Sequence, residues 1–189
     1  MKNAVIIVPG LMDRVNGISF LIKNWNKSNV DVFIHAAPWE DKEHFEPKLK
    51  NLVAQIDQLS KTYKVSLIGV SAGGSMVINA FMQRKNKVKK VINVSGRLRV
   101  GGFPSLKIAA KGRIAFKESV VLCEKYLTLF SQEDCKKIMT ISPLFDGVVP
   151  MSAIQVNGAL NITIPVIFHS IANIFALTVF KKKLIEFIK

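Results

Sequence analysis

Short unbroken apolar runs alternate along this chain with longer stretches whose apolar positions recur every three or four residues. Ala4 to Val8 is a continuous, largely β-branched run closed by Pro9-Gly10, as expected of a strand buried on both faces. Asp31 to Ala36 is a second run, ended by Pro38. Val65 to Val70, Val88 to Val94, Lys137 to Ser142 and Ile162 to Phe168 supply four more. Between them lie helical periods. Ile18, Leu21, Ile22 and Trp25 share one face of a helix over 17–27. Phe45, Leu49, Leu52, Ile56, Leu59 and Tyr63 recur at alternating steps of four and three, the clearest helical period in the chain. Gly73 to Arg84 turns Met76, Val77, Ala80 and Phe81 inward. Phe116, Val120, Cys123, Leu127 and Phe130 mark another amphipathic helix, Ser152 to Ala159 a short one, and Ser170 to Ile188 a closing one. Ser131 is also a candidate N-cap, so a helical continuation there competes with the first residues of the fifth strand.

Strands that alternate with helices call for a parallel sheet covered on both faces. The reading is therefore an α/β fold of about six mostly parallel strands in a single domain, 1–189. Residues 97–112 are irregular, Gly-rich and basic. They, with the next two residues to 114, read as a surface loop or a rudimentary cap, so little or no cap domain is expected. In such sheets ligands bind outside the carboxyl ends of the strands.

Charge adds a partner class. The 189 residues carry a formal charge of +14. Positive residues concentrate in Arg84–Lys90 and in 97–117, where Arg97, Arg99, Lys107, Lys111, Arg113 and Lys117 stand without an acid. Such a field favours anionic partners, and an anionic lipid surface docking on 97–117 is the one considered; the bland alternative is a solvated basic face. No nucleic-acid-binding motif accompanies it. Cys123 and Cys135 lack metal-ligand spacing and read as reduced thiols, which fits a cytoplasmic protein. The apolar run after Lys2 is short and cut by Pro9-Gly10, so it reads as a strand and not a signal peptide.

The chemistry gathers just after strands. Gly69-Val70-Ser71-Ala72-Gly73 follows the third strand with the G-x-S-x-G pattern of a nucleophile elbow. The pattern alone is common, and a serine there equally suits a helix N-cap. Asp146 follows the fifth strand and His169 the sixth. Serine needs a base to take its proton, histidine suits that role near neutral pH, and a carboxylate orients the imidazole. Asp146-Gly147 also reads as a plain turn pair. The loop after the fourth strand, Ser95-Gly96-Arg97, offers no carboxylate, and neither His35 nor His44 follows the acid in the chain.

The order Ser71, Asp146, His169, with VIIVPGL in front and GVSAGGS, FDGVVP and IFHS behind, resembles the α/β-hydrolase superfamily over nearly the whole chain, and most closely small, nearly lidless bacterial lipases of the lipase-A type. The resemblance implies a minimal α/β-hydrolase fold and an oxyanion hole formed by the backbone N–H groups of Ala72 and Leu11, with Met12 as substitute for Leu11. Relatives often carry His-Gly-X where this chain has Pro9-Gly10-Leu11. Leu11, Met12, Trp39, Val148, Val149 and Met151 sit on loops at the expected site edge, and Met12, Trp39, Val148, Val149 and Met151 are the substrate-contact candidates. No metal or phosphate-binding motif appears, and no cofactor is implied. The expected activity is hydrolysis of small-molecule carboxylic esters. A thioesterase, amidase or acyltransferase with the same triad, or a non-catalytic scaffold binding an acidic partner, are the alternatives.

Overall fold

Strands β1 (Lys2–Val8), β2 (Val30–Ile34), β3 (Tyr63–Val70), β4 (Val88–Val94), β5 (Ile138–Phe145) and β6 (Leu160–Ile167) form one sheet in the order β2-β1-β3-β4-β5-β6. Every neighbouring pair is parallel. The computed structural model describes residues 1–11, 15–23, 25, 29–102 and 104–189.

The period of two along each strand sends alternate side chains to opposite helical layers. Ile6, Val8, Val65, Leu67, Val91 and Ile138 pack beneath α2 (Phe45–Leu59), α3 (Gly73–Gln83) and α5 (Ile114–Leu127). Val5, Ile7, Ile68, Val70, Ile92, Val94, Ile141 and Ile164 pack beneath α1 (Val15–Leu21), α8 (His169–Leu177) and α9 (Lys181–Ile188). Helix α3 is buried at every position from Gly73 to Phe81, so it lacks a polar stripe and sits at the centre of its layer. Short helices α4 (Leu106–Ala109), α6 (Gln132–Cys135) and α7 (Met151–Ile154) complete the chain. Among the described residues no helix is long and apolar enough to cross a membrane.

Four boundaries differ from the pattern-based expectation. Helix α1 stops at Leu21 and Trp25 lies in a separate turn. The competition at Ser131 resolves into both elements: Ser131 and Asp134 close a reciprocal capping box on α6, and β5 starts three residues after it. Strand β5 runs past Pro143 to Phe145. Its register with β4 ends at Ile141, so beyond that point it pairs only with β6, and a proline is tolerated on an edge. The expected closing helix is two helices. Thr178 turns its hydroxyl back on the Ile174 carbonyl at 2.7 Å, a bond that bends helices. The buried Trp25 indole donates to the last carbonyl of α8, Leu177 O, at 2.9 Å. The break lets α9 bury Leu184, Ile185 and Ile188.

Leu98, Leu106 and Ala110, on the segment after β4, pack down on the body. Leu98 N donates to Ala153 O at 2.7 Å, and Leu106 and Ala110 join the core. Arg97 is interior. Only 1 % of it is exposed, and its guanidinium donates to the carbonyls of Val100, Gly101 and Pro104. Burial pushes its pKa down, an effect opposed by the nearby Asp146 charge. Arg99 donates to the carbonyls of Ser152 and Gln155, and Arg113 pairs with Glu40. Of the six cations counted between Arg97 and Lys117, Lys107, Lys111 and Lys117 are the exposed ones.

Candidate active site

The carboxyl ends of the strands carry strained backbone. Ser71 after β3, Ser95 after β4 and Phe168 after β6 all have positive φ, at 54°, 51° and 73°. Non-glycine residues rarely adopt that region, and it persists only where the surroundings hold it. For Ser71 the hold is visible. Its N–H donates to Val94 O at 2.9 Å, and its carbonyl accepts from Gly74 N at 2.9 Å. The turn is tight enough to exclude side chains on either flank. A Cβ on Gly69 would lie 2.3 Å from the Gly73 carbonyl oxygen, and one on Gly73 would lie 2.1 Å from Val8 O. Both obstacles are backbone and cannot swing away.

Ser71 therefore projects from the β3–α3 elbow, and two further loops meet it. His169 Nε2 lies 2.8 Å from Ser71 Oγ. His169 Nδ1 lies 3.0 and 2.9 Å from the two carboxylate oxygens of Asp146. A carboxylate cannot donate, so Nδ1 carries the proton and Nε2 accepts from the serine hydroxyl. Asp146 is fixed from its other side: Oδ1 accepts from Val148 N at 3.0 Å and Val149 N at 2.7 Å. Its side chain is 4 % exposed and that of His169 13 %. Backbone bonds from Phe168 N to Phe145 O and from His169 N to Asp146 O tie the β6 end to the β5 end. The extension of β5 past Pro143 is what delivers Asp146 to this position. The other histidines are engaged elsewhere, His35 with Gln55 and His44 with Glu118.

A cleft of about 370 Å³ opens over Ser71 and His169. Pro9, Gly10 and Leu11 form one edge. Helix α1 supplies Gly17, Ile18, Phe20 and Leu21; helix α8 supplies Ser170, Asn173 and Ile174. Gly10 lies against the serine: a Cβ there would meet Ser71 Cβ at 2.7 Å. Leu11 lines this cleft, and Ala72, directly after the serine, is buried at the start of α3. Met12 lies outside the described residues.

The remaining edge residues lie elsewhere. Trp39 is buried, stacked with Phe45 and edge-on to Phe116, with its indole donating to Pro9 O at 3.3 Å. Its large apolar ring serves the core beneath the loop and does not line the cleft. Val148 and Val149 act on the site through their backbone amides. Val149 and Met151 line a second cleft, also about 370 Å³, on the far side of Asp146 with Pro104, Leu144 and Phe145.

Sequence patterns alone did not flag three contributors. Asn93, buried on β4, binds the Gly96 backbone at both N–H and carbonyl and braces the turn beneath the elbow. Arg97 hid in a basic run. The apolar period of α1 marks only its core face, and Phe20, off that face and 78 % exposed, is the residue whose position signals a cleft wall.

A serine hydroxyl on an imidazole whose other nitrogen meets a buried carboxylate is the arrangement acyl transfer requires. Solved structures give the architecture a name. The chain superposes with a TM-score of 0.64 on MGS-MChE2, an alpha/beta hydrolase enzyme from a lagoon-sediment metagenome, covering 98 % of this chain and 90 % of that one at 17 % identity. The fold is that of the α/β-hydrolases. A monoacylglycerol lipase of Paleococcus ferrophilus matches with a TM-score of 0.70 at 17 % identity, over 98 % of this chain and 93 % of that one. Est1E from Butyrivibrio proteoclasticus matches at 0.68 and 19 % identity, over 98 % and 86 %. At these identities the likeness is one of α/β-hydrolase fold. No protein-family model and no curated protein matches the chain.

Proposed function

We propose that this chain is a serine hydrolase of carboxylic esters. The observation that carries the proposal is the continuous hydrogen-bonded path from Ser71 Oγ through His169 to Asp146 at the floor of an apolar cleft. The lipase and esterase names of its structural neighbours support the same reading.

In this mechanism His169 Nε2 takes the hydroxyl proton as Ser71 Oγ bonds to the ester carbonyl carbon. The carbonyl oxygen becomes an oxyanion held by the Ala72 and Leu11 N–H groups. As the carbon–oxygen bond to the alcohol breaks, His169 returns the proton to the leaving alkoxide. Water then repeats the sequence on the acyl-enzyme: it gives a proton to His169, bonds to the acyl carbon and expels Ser71, which regains the proton. Asp146 stabilises the imidazolium in both halves.

A fluorophosphonate probe tests this directly. The wild-type protein is expected to label once, and Ser71→Ala not at all. A folded wild-type protein that neither labels nor cleaves p-nitrophenyl esters of any chain length would overturn the proposal in favour of a non-catalytic scaffold. Matched ester and thioester substrates then rank the acyl classes.

A further inference from the structure

Among the described residues three phenylalanines are largely exposed, Phe20, Phe145 and Phe168, and all three stand beside the candidate active site. Phe20 lines the cleft over Ser71 together with Ile174. Ile174 and Ile171, three residues apart on α8, share a face of that helix and are each about half exposed. Phe168 caps the start of α8, and its N–H donates to Phe145 O. Leu144 and Phe145 line the second cleft, beyond Asp146. Their exposure has a structural cause. Strand β5 loses β4 at Ile141, so its last residues run past the body of the sheet and both sides of the strand end meet solvent. Phe20, Ile174, Ile171, Phe168, Phe145 and Leu144 thus form one apolar collar that runs past His169 from the first cleft to the second. Exposed apolar residues scattered singly are ordinary, whereas a contiguous patch marks a face that docks.

Charge indicates what docks there. The segment after β4 adjoins the collar: Pro104 lines the second cleft with Leu144 and Phe145, and Gly102 lies against the Pro150 ring. Arg97, Arg99 and Arg113 are engaged within the protein. The short helix α4 then turns Leu106 into the core and leaves Lys107 and Ile108 exposed, with the exposed Lys111 close behind. Neither lysine has an ion-pair partner among the described residues, and no acid occurs from Arg97 to Lys117. A second copy of this chain would set +14 against +14 with the same lysines on both sides, and like charges repel. An anionic lipid surface meets both features. Its headgroups take up the lysines, and its acyl boundary takes up the phenylalanines and isoleucines.

We infer that this face docks on an anionic lipid surface, with the collar entering the acyl boundary and Lys107 and Lys111 engaging headgroups, so that the cleft receives its ester from the lipid layer. The delivery of substrate rests on the hydrolase reading above; the docking itself needs no turnover.

Flotation with vesicles of phosphatidylcholine, alone or mixed with phosphatidylglycerol, tests it. The Ser71→Ala protein is used, so that lipid is not consumed. At low salt it is expected to bind the mixed vesicles at least about tenfold more tightly than the neutral ones. Adding Leu144→Gln with Ile171→Gln lowers binding about tenfold or more, and adding Lys107→Glu with Lys111→Glu removes the preference for the anionic vesicles. With Ser71 restored, both pairs hydrolyse soluble p-nitrophenyl acetate within about twofold of wild type and keep its Tm within a few degrees, because none of the four side chains touches the triad or lines its cleft. No binding to either vesicle, equal binding to both, or binding that both pairs leave unchanged overturns the inference. So does a dimer in sedimentation that Leu144→Gln with Ile171→Gln dissociates, which assigns the collar to a second copy. Fluorophosphonate labelling of the wild-type protein separates the two layers. Labelling without vesicle binding rejects the docking face alone; vesicle binding without labelling or turnover upholds that face and rejects the hydrolase reading.

Discussion

Ser71 and Phe168 are held in backbone conformations that their side chains disfavour, and each flanks or carries a group of the site. Phe168, at φ 73° and ψ 135°, lies where glycine alone is comfortable. Its ring is largely exposed, so it gains little in return. Phe168→Gly is expected to raise Tm by relieving about 1 kcal/mol of strain. It also lowers kcat/KM, because His169 loses the rigid entry that points it at Ser71. Gly73 has the opposite character. An alanine there must push its Cβ against the Val8 carbonyl, and overpacking of this kind costs about 1–3 kcal/mol; a lowered urea midpoint for Gly73→Ala checks it. Asp146→Asn leaves an acceptor for the two valine amides but removes the charge facing His169. The expected result is a fall in kcat of roughly 10³–10⁴-fold with the fold retained by circular dichroism.

At the scale of elements, the site depends on how far each strand runs and where each helix stops. Strand β5 continues past Pro143 because its β4 side is already unpaired there, and this extension places Asp146 beside His169. Helix α8 must be short enough to present His169 and Asn173 to the cleft while its far end is capped by Trp25. Trp25→Phe keeps most of the buried ring and removes only the donor to Leu177 O. Leaving that carbonyl without its partner is expected to cost about 1–3 kcal/mol, read as a drop in unfolding free energy in urea. A variant as stable as wild type would show that the indole bond does not secure the α8–α9 break.

Across the whole molecule, the dense cation run and the chemistry occupy opposite ends of the sheet. The dense cation run 84–90 leads into β4 at its amino end, and much of it is neutralised locally. Arg84 forms a two-pronged pair with Asp57, Lys87 joins the same carboxylate, and Lys85 pairs with Asp134. Hydrogen bonds from Arg84, then Lys87, hold the Asp57 carboxyl well below the usual carboxylate range. A carboxylate depressed in the folded state stabilises the protein above its unfolded pKa of about 4, and that contribution is lost as pH falls below it. Asp57→Asn is therefore expected to lower Tm at pH 7 and to show a smaller fall between pH 5 and pH 3 than wild type. Parallel Tm–pH curves for the two proteins would contradict this. Lys107, Lys111 and Lys117 are exposed and have no ion-pair partner among the described residues.

How much of this was legible beforehand follows from which forces are local. Strand runs, the 45–63 period and the glycine-flanked Ser71 are readable because burial on two faces, helical periodicity and steric clearance each leave a mark on consecutive residues. They suffice for an α/β sheet and for Ser71, Asp146 and His169 following three strand ends. Whether Trp39 faces a cleft or the core and where the last helix breaks depend on partners more than 50 residues away, Phe116 and Trp25; Arg97 meets carbonyls only three to seven residues on, but in a segment with no periodicity to mark how it turns. Gly69-Val70-Ser71-Ala72-Gly73 was thus a turn written into the chain itself. The cleft above it, walled by α1 and α8, exists because the parallel sheet carries residues about 150 positions apart to one edge.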